Sequence, residues 1–402
     1  MSPLAFFRTT CCLGFLFIAG CKKQQVETGT EPPPSPEKQT KITGVFPSSA
    51  RGGDTIAVRG ENLLRSGSTV KVLVSGKEAT ILTAAAQEIT AKVPDKAGSG
   101  NVSIVIGNET IAGPAFRYAY QIMVSTIAGS GAAGNADGNG ANASFNAPWG
   151  IALDDNGDIY IADSYNRLIR KIPAGTDYVS SISIPVLPAG GEFYSPYNLT
   201  LDQQSKSLYV TDFNAHVLKR TAGGQMSVIF NDPQPLAGIA LSPDKKLFIG
   251  NNTTGQIIRI DTTGANRTVA YSGLVTPRNI FFDTSGVMYA AAYGIYKFSG
   301  AGYQQLMPDP TKFGGWEVAY DERSGGFYMA DHFANKIFKL ESSGTIVEIA
   351  GNGAAADIDG PGPSASFDGP MGLAIDKQGN LYVTTYNFDK ATGNKLRKVT
   401  IN

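Results

Sequence analysis

From Lys41 to about Tyr120 apolar residues recur at every second position in short runs: Ile42–Phe46, Thr55–Arg59, Thr69–Val74, Ala79–Leu82, Glu88–Val93, Asn101–Ile106 and Ala115–Tyr120. A period of two marks strands with one buried face. Gly, Asn, Asp and Pro separate the runs, as tight turns require. Seven short strands in one segment predict a β-sandwich. From Gln121 onward the pattern becomes a longer cycle. Six segments share one form: Phe145–Asp154 (FNAPWGIALD), Tyr194–Asp202, Pro235–Ser242, Thr276–Asp283, Phe313–Asp321 and Phe367–Asp376 (FDGPMGLAID). Most lead through a Gly turn into a second run, such as Asp158–Asp163, Leu208–Asp212, Phe327–Asp331 or Asn380–Thr384. A third often ends in basic residues, as in Leu168–Lys171, Val217–Arg220 and Leu396–Lys398. The cycle length, roughly 40–55 residues, is that of a four-stranded propeller blade.

The repeats also predict how the ring closes. A fourth strand follows most blades, for example Gln225–Phe230 and Thr345–Ile349, but the chain stops after the third strand of the last repeat. Val124–Gly129, ahead of the first repeat, matches Val347–Gly351. The segment 122–128 is therefore expected to complete blade six, so that neither end blade leaves a bare edge. A seventh, degenerate blade is the other reading.

Two resemblances rest on these residues. The order Ile42–Pro47, Gly53–Leu63, Val93-Pro94 and Phe116–Tyr118 resembles the IPT/TIG family. That implies an Ig-like fold over 41–120 acting as a spacer or interaction module without catalytic residues. The repeats over 121–402 resemble NHL repeats, which implies an all-β, six-bladed propeller.

The N-terminus changes the compartment. Arg8 followed by the apolar run Leu13–Ala19 reads as a secretion signal, too short to span a bilayer as a mature helix. Ile18-Ala19-Gly20-Cys21 resembles a bacterial lipobox, which implies cleavage after residue 20, lipidation of Cys21 and an envelope location, the outer membrane being the expected one. An ordinary secreted signal is the alternative. Residues 21–40 form a polar, Pro-rich tether. The other cysteines, Cys11 and Cys12, lie inside the signal, so the mature chain has no internal disulfide and no Cys-based metal site. Lys+Arg and Asp+Glu balance at 34 each, without the basic footprint of a nucleic-acid binder.

Candidate chemistry follows from the repeat. The residue just before each inner strand should rim the channel mouth: Trp149, Tyr197, Ala237, Arg278, Trp316 and Met371. Loops between second and third strands should add Tyr165, Phe213, Tyr293, Phe333 and Tyr386, with Asp163, Asp212, Asn251 and Asp331 beside them. Aromatic rings mixed with carboxylates and amides suit sugars, whose apolar faces stack while their hydroxyls bond. Packing rings and loop-capping carboxylates are the competing reading. One position further in, Asn198, Asn279 and Glu317 should point into the channel as oxygen ligands of the kind Ca²⁺ takes. Gluconolactonase-type propellers are similar in holding a divalent ion there; an ordinary polar channel is the alternative.

Other signals are weak. Gly129–Gly134 fits G-x-G-x-x-G, but Asn135–Gly140 cannot open the helix a dinucleotide site needs. Asp137-Gly-Asn139 and Asp357-Ile-Asp359 suggest Ca²⁺ loops without the closing Glu. Two histidines, His216 and His332, exclude three-His zinc chemistry. The expectation is a binding lipoprotein whose propeller face takes a glycan or an envelope protein. A metal-dependent lactonase and a pure protein scaffold are the alternatives.

Overall fold

The computed structural model describes residues 39–182, 195–300, 302–307 and 315–402, excepting the side chains of residues 315 and 316. The signal, Cys21 and the Pro-rich tether lie outside the described residues. The Ig-like domain is one continuous set of paired strands. Lys41–Phe46, Thr55–Glu61, Glu88–Lys92, Lys77–Ala84, Val70–Val74, Gly100–Ile106 and Glu109–Tyr118 neighbour one another in that order. Alternation does the sorting: Ile56, Val58, Ile89, Ala91, Val102 and Ile104 all turn inward, around Phe116 and Leu63. The last strand begins at Glu109, earlier than the apolar pattern suggests, because its first half lies on exposed surface. An eighth strand, Ser49–Ala50, pairs in parallel with Arg117 and Tyr118.

Six blades follow, four-stranded in blades 2 to 5 and extended by a two-residue fifth strand in blades 1 and 6, with inner strands Pro148–Leu153, Pro196–Asp202, Leu236–Leu241, Asn279–Phe282, Gly315–Asp321 and Pro370–Ile375. The propeller core is a ring of apolar layers between neighbouring blades. Ala162 and Ile169 of blade 1 pack on Leu199 and Val210 of blade 2, and similar layers separate the other blades. Closure occurs as the repeats predict. Ile122–Ala128 pairs antiparallel with Thr392–Ile401, and Gln121 and Asn402 exchange backbone hydrogen bonds of 2.9 and 3.0 Å.

The inner strands share one irregularity that sets the site. In blades 1, 2, 3 and 6 the register with the second strand slips at the second and third positions, between Pro148 and Ile151 in blade 1 and Pro196 and Leu199 in blade 2, and in blade 5 it slips at the second position alone, between Gly315 and Glu317. A bulge there takes the rim residue out of the regular in-out alternation. Blade 4 runs without a bulge from Asn279.

The Ig-like domain is not loosely tethered to the propeller. Glu341, 5% exposed, follows the third strand of blade 5 and accepts hydrogen bonds from the Ser99 N–H and, at 2.7 Å, from the Tyr120 hydroxyl. Lys339, 1% exposed, donates to the same hydroxyl at 3.1 Å and lies over the Tyr120 and Tyr328 rings. Lys96 Nζ and an Arg323 guanidinium N–H both donate to the Gln378 carbonyl of blade 6.

Candidate functional site

The loops after the second strands are pinned to the segments entering the inner strands. Tyr165 N–H bonds Asn146 O at 3.1 Å, Phe213 N–H bonds Ser195 O at 3.0 Å, and Tyr386 N–H bonds Gly369 O at 2.8 Å. Both sets of loops therefore share one face, as the repeat implies. The carboxylates expected beside them are directed inward. Asp163, fully buried, accepts from Asn146 N–H at 2.7 Å, Asn166 Nδ2 at 2.8 Å and Arg170 Nη1 at 2.8 Å. Asp212 accepts from Ser195 N–H and Asn214 N–H and lies 3.2 Å from His216 Nδ1. Asp331 accepts from Phe333 N–H and Ala334 N–H, and Asn251 from Thr253 N–H and Thr254 N–H. Asp212, Asp331 and Asn251 cap their own loops, whereas Asp163 ties its loop to the segment entering the inner strand and to Arg170; the polar half of the expected sugar platform is interior, because short Asp and Asn side chains reach nearby N–H groups before solvent.

The aromatic half converges. Trp149 meets Tyr197 edge to face at 4.7 Å, Phe213 at 6.4 Å and Phe388 at 5.9 Å. Tyr197 stacks on Phe213 at 5.6 Å. Phe388 touches His332 at 5.1 Å and Tyr386 at 5.2 Å; His332 reaches Phe333, and Tyr386 reaches Tyr165. This crescent crosses blades 1, 2, 5 and 6, buried at Tyr197 and open at Tyr165, Phe388 and Phe333, the last 71% exposed. Arg278 of blade 4 lies over the Tyr293 ring at 5.6 Å, and its charge acts on both Tyr197 and His332 of the crescent. Ala237 and Met371 are buried. The Trp316 side chain lies outside the described residues. Phe388 is absent from the repeat reading because the second strand of blade 6 runs on to Asn387, which draws Tyr386 into the strand and shifts the loop position to Phe388. The only sequence signal is the aromatic residue two places after Tyr386. Burial lowers the His332 pKa and raises that of the Tyr197 phenol, so both rings favour their neutral forms.

Below the mouth, the three residues expected to line an open channel bridge it. Glu317 of blade 5 accepts from Asn198 Nδ2 of blade 2 at 2.9 Å and from Asn279 Nδ2 of blade 4. Asn198 Nδ2 also donates to Arg278 O at 3.2 Å, and Asn198 Oδ1 accepts the Leu199 N–H. Burial pushes the Glu317 carboxyl well above its ordinary value, against the Asn279 hydrogen bond. As arranged, the amide nitrogens rather than the oxygens face the carboxylate, so the residues present do not form a cation site. The two acidic loops are equally committed. Asp137 binds Arg170 at 2.8 Å, and Asp357 and Asp359 bind Arg397 at 2.7 and 2.8 Å. Both guanidiniums are fully buried and lie over Phe145 and Phe367.

Comparison with known proteins agrees with this architecture. Residues 41–120 match the IPT/TIG domain family and residues 145–172 match the NHL repeat, so the chain carries both modules. The adipocyte plasma membrane-associated protein of Salmo salar is 22% identical over 140 residues, 30% of this chain and 34% of that protein. The chain thus spans about a third of the length of this curated relative. A protein of unknown function from Bacteroides thetaiotaomicron superposes with a TM-score of 0.61 at 18% identity, covering 92% of this chain and 99% of that one. An auxiliary nutrient binding protein from the same organism gives 0.56 at 18% identity over 91% and 99%, and one from Bacteroides ovatus gives 0.57 at 17% over 92% and 99%. At such identities the likeness is one of fold.

Proposed function

We propose that this protein is an envelope-anchored binding protein whose propeller mouth takes a glycan. The observation that carries the reading is the crescent of contacting rings around Trp149, open to solvent at Tyr165, Phe388 and Phe333. Contiguous exposed apolar surface of this kind is characteristic of a binding face, and aromatic rings edged by polar groups match the two-sided chemistry of a sugar. The nutrient-binding description of two proteins sharing the fold supports the same reading. Lipidation at Cys21 would hold the propeller at the envelope, and Cys21→Ser should then move the protein from the membrane to the soluble fraction.

The binding reading is tested by affinity electrophoresis in gels containing single polysaccharides. Retention by one polysaccharide should fall at least about tenfold in affinity for Trp149→Ala and for Phe333→Ala. The second variant alters an exposed side chain and leaves the fold intact. Retention unchanged in both refutes a glycan site here. Capture of an envelope protein that Phe333→Ala abolishes, with no glycan retained, would assign the face to a protein partner instead.

A further inference from the structure

We propose that the mouth is a blind cup that receives the end of a sugar chain, one or two units, rather than a platform crossed by a polysaccharide or a channel that threads one. The proposal rests on the glycan reading and deepens it.

The floor of the cup is the bridge below the mouth. The Glu317 carboxylate joins blade 5 to Asn198 of blade 2 and Asn279 of blade 4, spanning the axis. Glu317 and Asn198 are 7% and 4% exposed, and Asn279, the third member of the bridge, is partly buried. Around the bridge, neighbouring inner strands also meet closely. A Cβ on Gly150 would lie 2.6 Å from Tyr197 O, one on Gly372 2.0 Å from Trp149 O, and one on Gly238 2.9 Å from Arg278 O. Neighbouring inner strands thus touch backbone to backbone, and only glycine permits it. Hydroxyls tie the blade 6–1 seam again, where Thr384 Oγ1 donates to Trp149 O at 2.7 Å, and the blade 2–3 seam, where Thr211 Oγ1 donates to Ala237 O.

The walls suit an end and not a run of chain. A polysaccharide lying across a face needs rings lying flat along one direction. Here Trp149 stands edge-on to Tyr197 at 86°, Phe213 at 90° and Phe388 at 75°, while Tyr197 and Phe213 lie at 24° to each other, so the set forms no single flat strip. The Trp149 indole Nε1 and the Asn279 Oδ1 are among the buried polar atoms of this region that make no hydrogen bond to another described group. An unsatisfied donor and an unsatisfied acceptor are costly in a buried setting. A sugar hydroxyl, donor and acceptor at once, is the group that answers both kinds. Burial drives the Glu317 carboxyl toward its neutral form, in keeping with a floor that recognises hydroxyls rather than charge.

The test is calorimetric titration of the full chain in detergent. The probes are gluco-, manno- and xylo-oligosaccharides of one to six units and the matching polysaccharides before and after limited endo-hydrolase cleavage. The expected result is an affinity that reaches its plateau by two units, with polysaccharide binding that rises with the number of chain ends at constant sugar mass. Trp149→Phe keeps a ring and removes the indole N–H, and should weaken the shortest ligand by about tenfold. Affinity that climbs through to six units, or polysaccharide binding indifferent to cleavage, overturns the cup and leaves the glycan reading standing. Parental affinity in Trp149→Phe overturns the hydroxyl assignment. Absence of binding to every probe removes the glycan reading beneath it.

Discussion

Replacing Glu341 by Ala should destabilise the Ig-like domain and the propeller together. The carboxylate belongs to blade 5, yet the Ser99 N–H and the Tyr120 hydroxyl that it accepts from belong to the domain that precedes the ring. Deleting it leaves both donors short of an acceptor in a buried setting, at about 1–3 kcal/mol each. It also leaves the Lys339 ammonium, 1% exposed, with Asp321 at 3.8 Å as its ion-pair partner. Breaking a buried charge network by removing one member costs about 3–5 kcal/mol. Water entering the vacated space brings the figure toward the lower end, about 3 kcal/mol. At roughly 2 °C per kcal/mol for a unit of this size, Tm falls by about 6 °C. Urea unfolding followed by tryptophan fluorescence is the informative assay, because both tryptophans, Trp149 and Trp316, are in the propeller. The fluorescence midpoint should move down with the far-UV circular dichroism midpoint, as one transition. Glu341→Gln, which keeps an acceptor oxygen, should lose less. A fluorescence midpoint unchanged within about 0.5 kcal/mol, or two signals that separate, would refute the argument and return the Ig-like domain to a passive spacer.

Two further outcomes follow from buried charge. Glu317 ionises at a higher pH in the folded state than its ordinary 4.5, so the native state holds the proton that the unfolded chain releases. Stability from this group is complete below pH 4.5 and declines as pH rises through the folded pKa; urea midpoints between about pH 4.5 and 8 should show a downward slope that Glu317→Gln reduces, and equal slopes would contradict it. Asp357→Ala should cost about 3 kcal/mol by stranding the buried Arg397 guanidinium, with the half-exposed Asp359 as its remaining carboxylate. The paired change Asp357→Leu with Arg397→Met should cost less than the single one, and a single variant as stable as the parent would remove the assignment.

Strand periodicity and the sixfold repeat were sufficient for the two modules, the blade count, the closing strand at 122–128 and the face on which Trp149, Tyr197, Phe213 and Tyr165 gather. Those features are local or repeat at fixed offset, and local alternation is what a strand must obey to bury one face. The direction in which each polar side chain turns was not legible. Asp163, Asp212 and Asp331 look alike whether they face a sugar or cap a loop; the reach of nearby N–H groups decides it, and that appears only once the loops are closed. The acidic loops at Asp137 and Asp357 resemble cation sites until Arg170 and Arg397 arrive from the third strands of the same blades. The bridge from Glu317 to Asn198 and Asn279 crosses 119 and 38 residues of chain, and the contact of Glu341 with Ser99 crosses 242. By itself the sequence determined which faces of which strands are apolar, and so the fold. Only the tertiary structure decided which polar groups meet, because a buried donor or charge takes its partner from whatever the closed ring brings within hydrogen-bond reach, however distant in the chain.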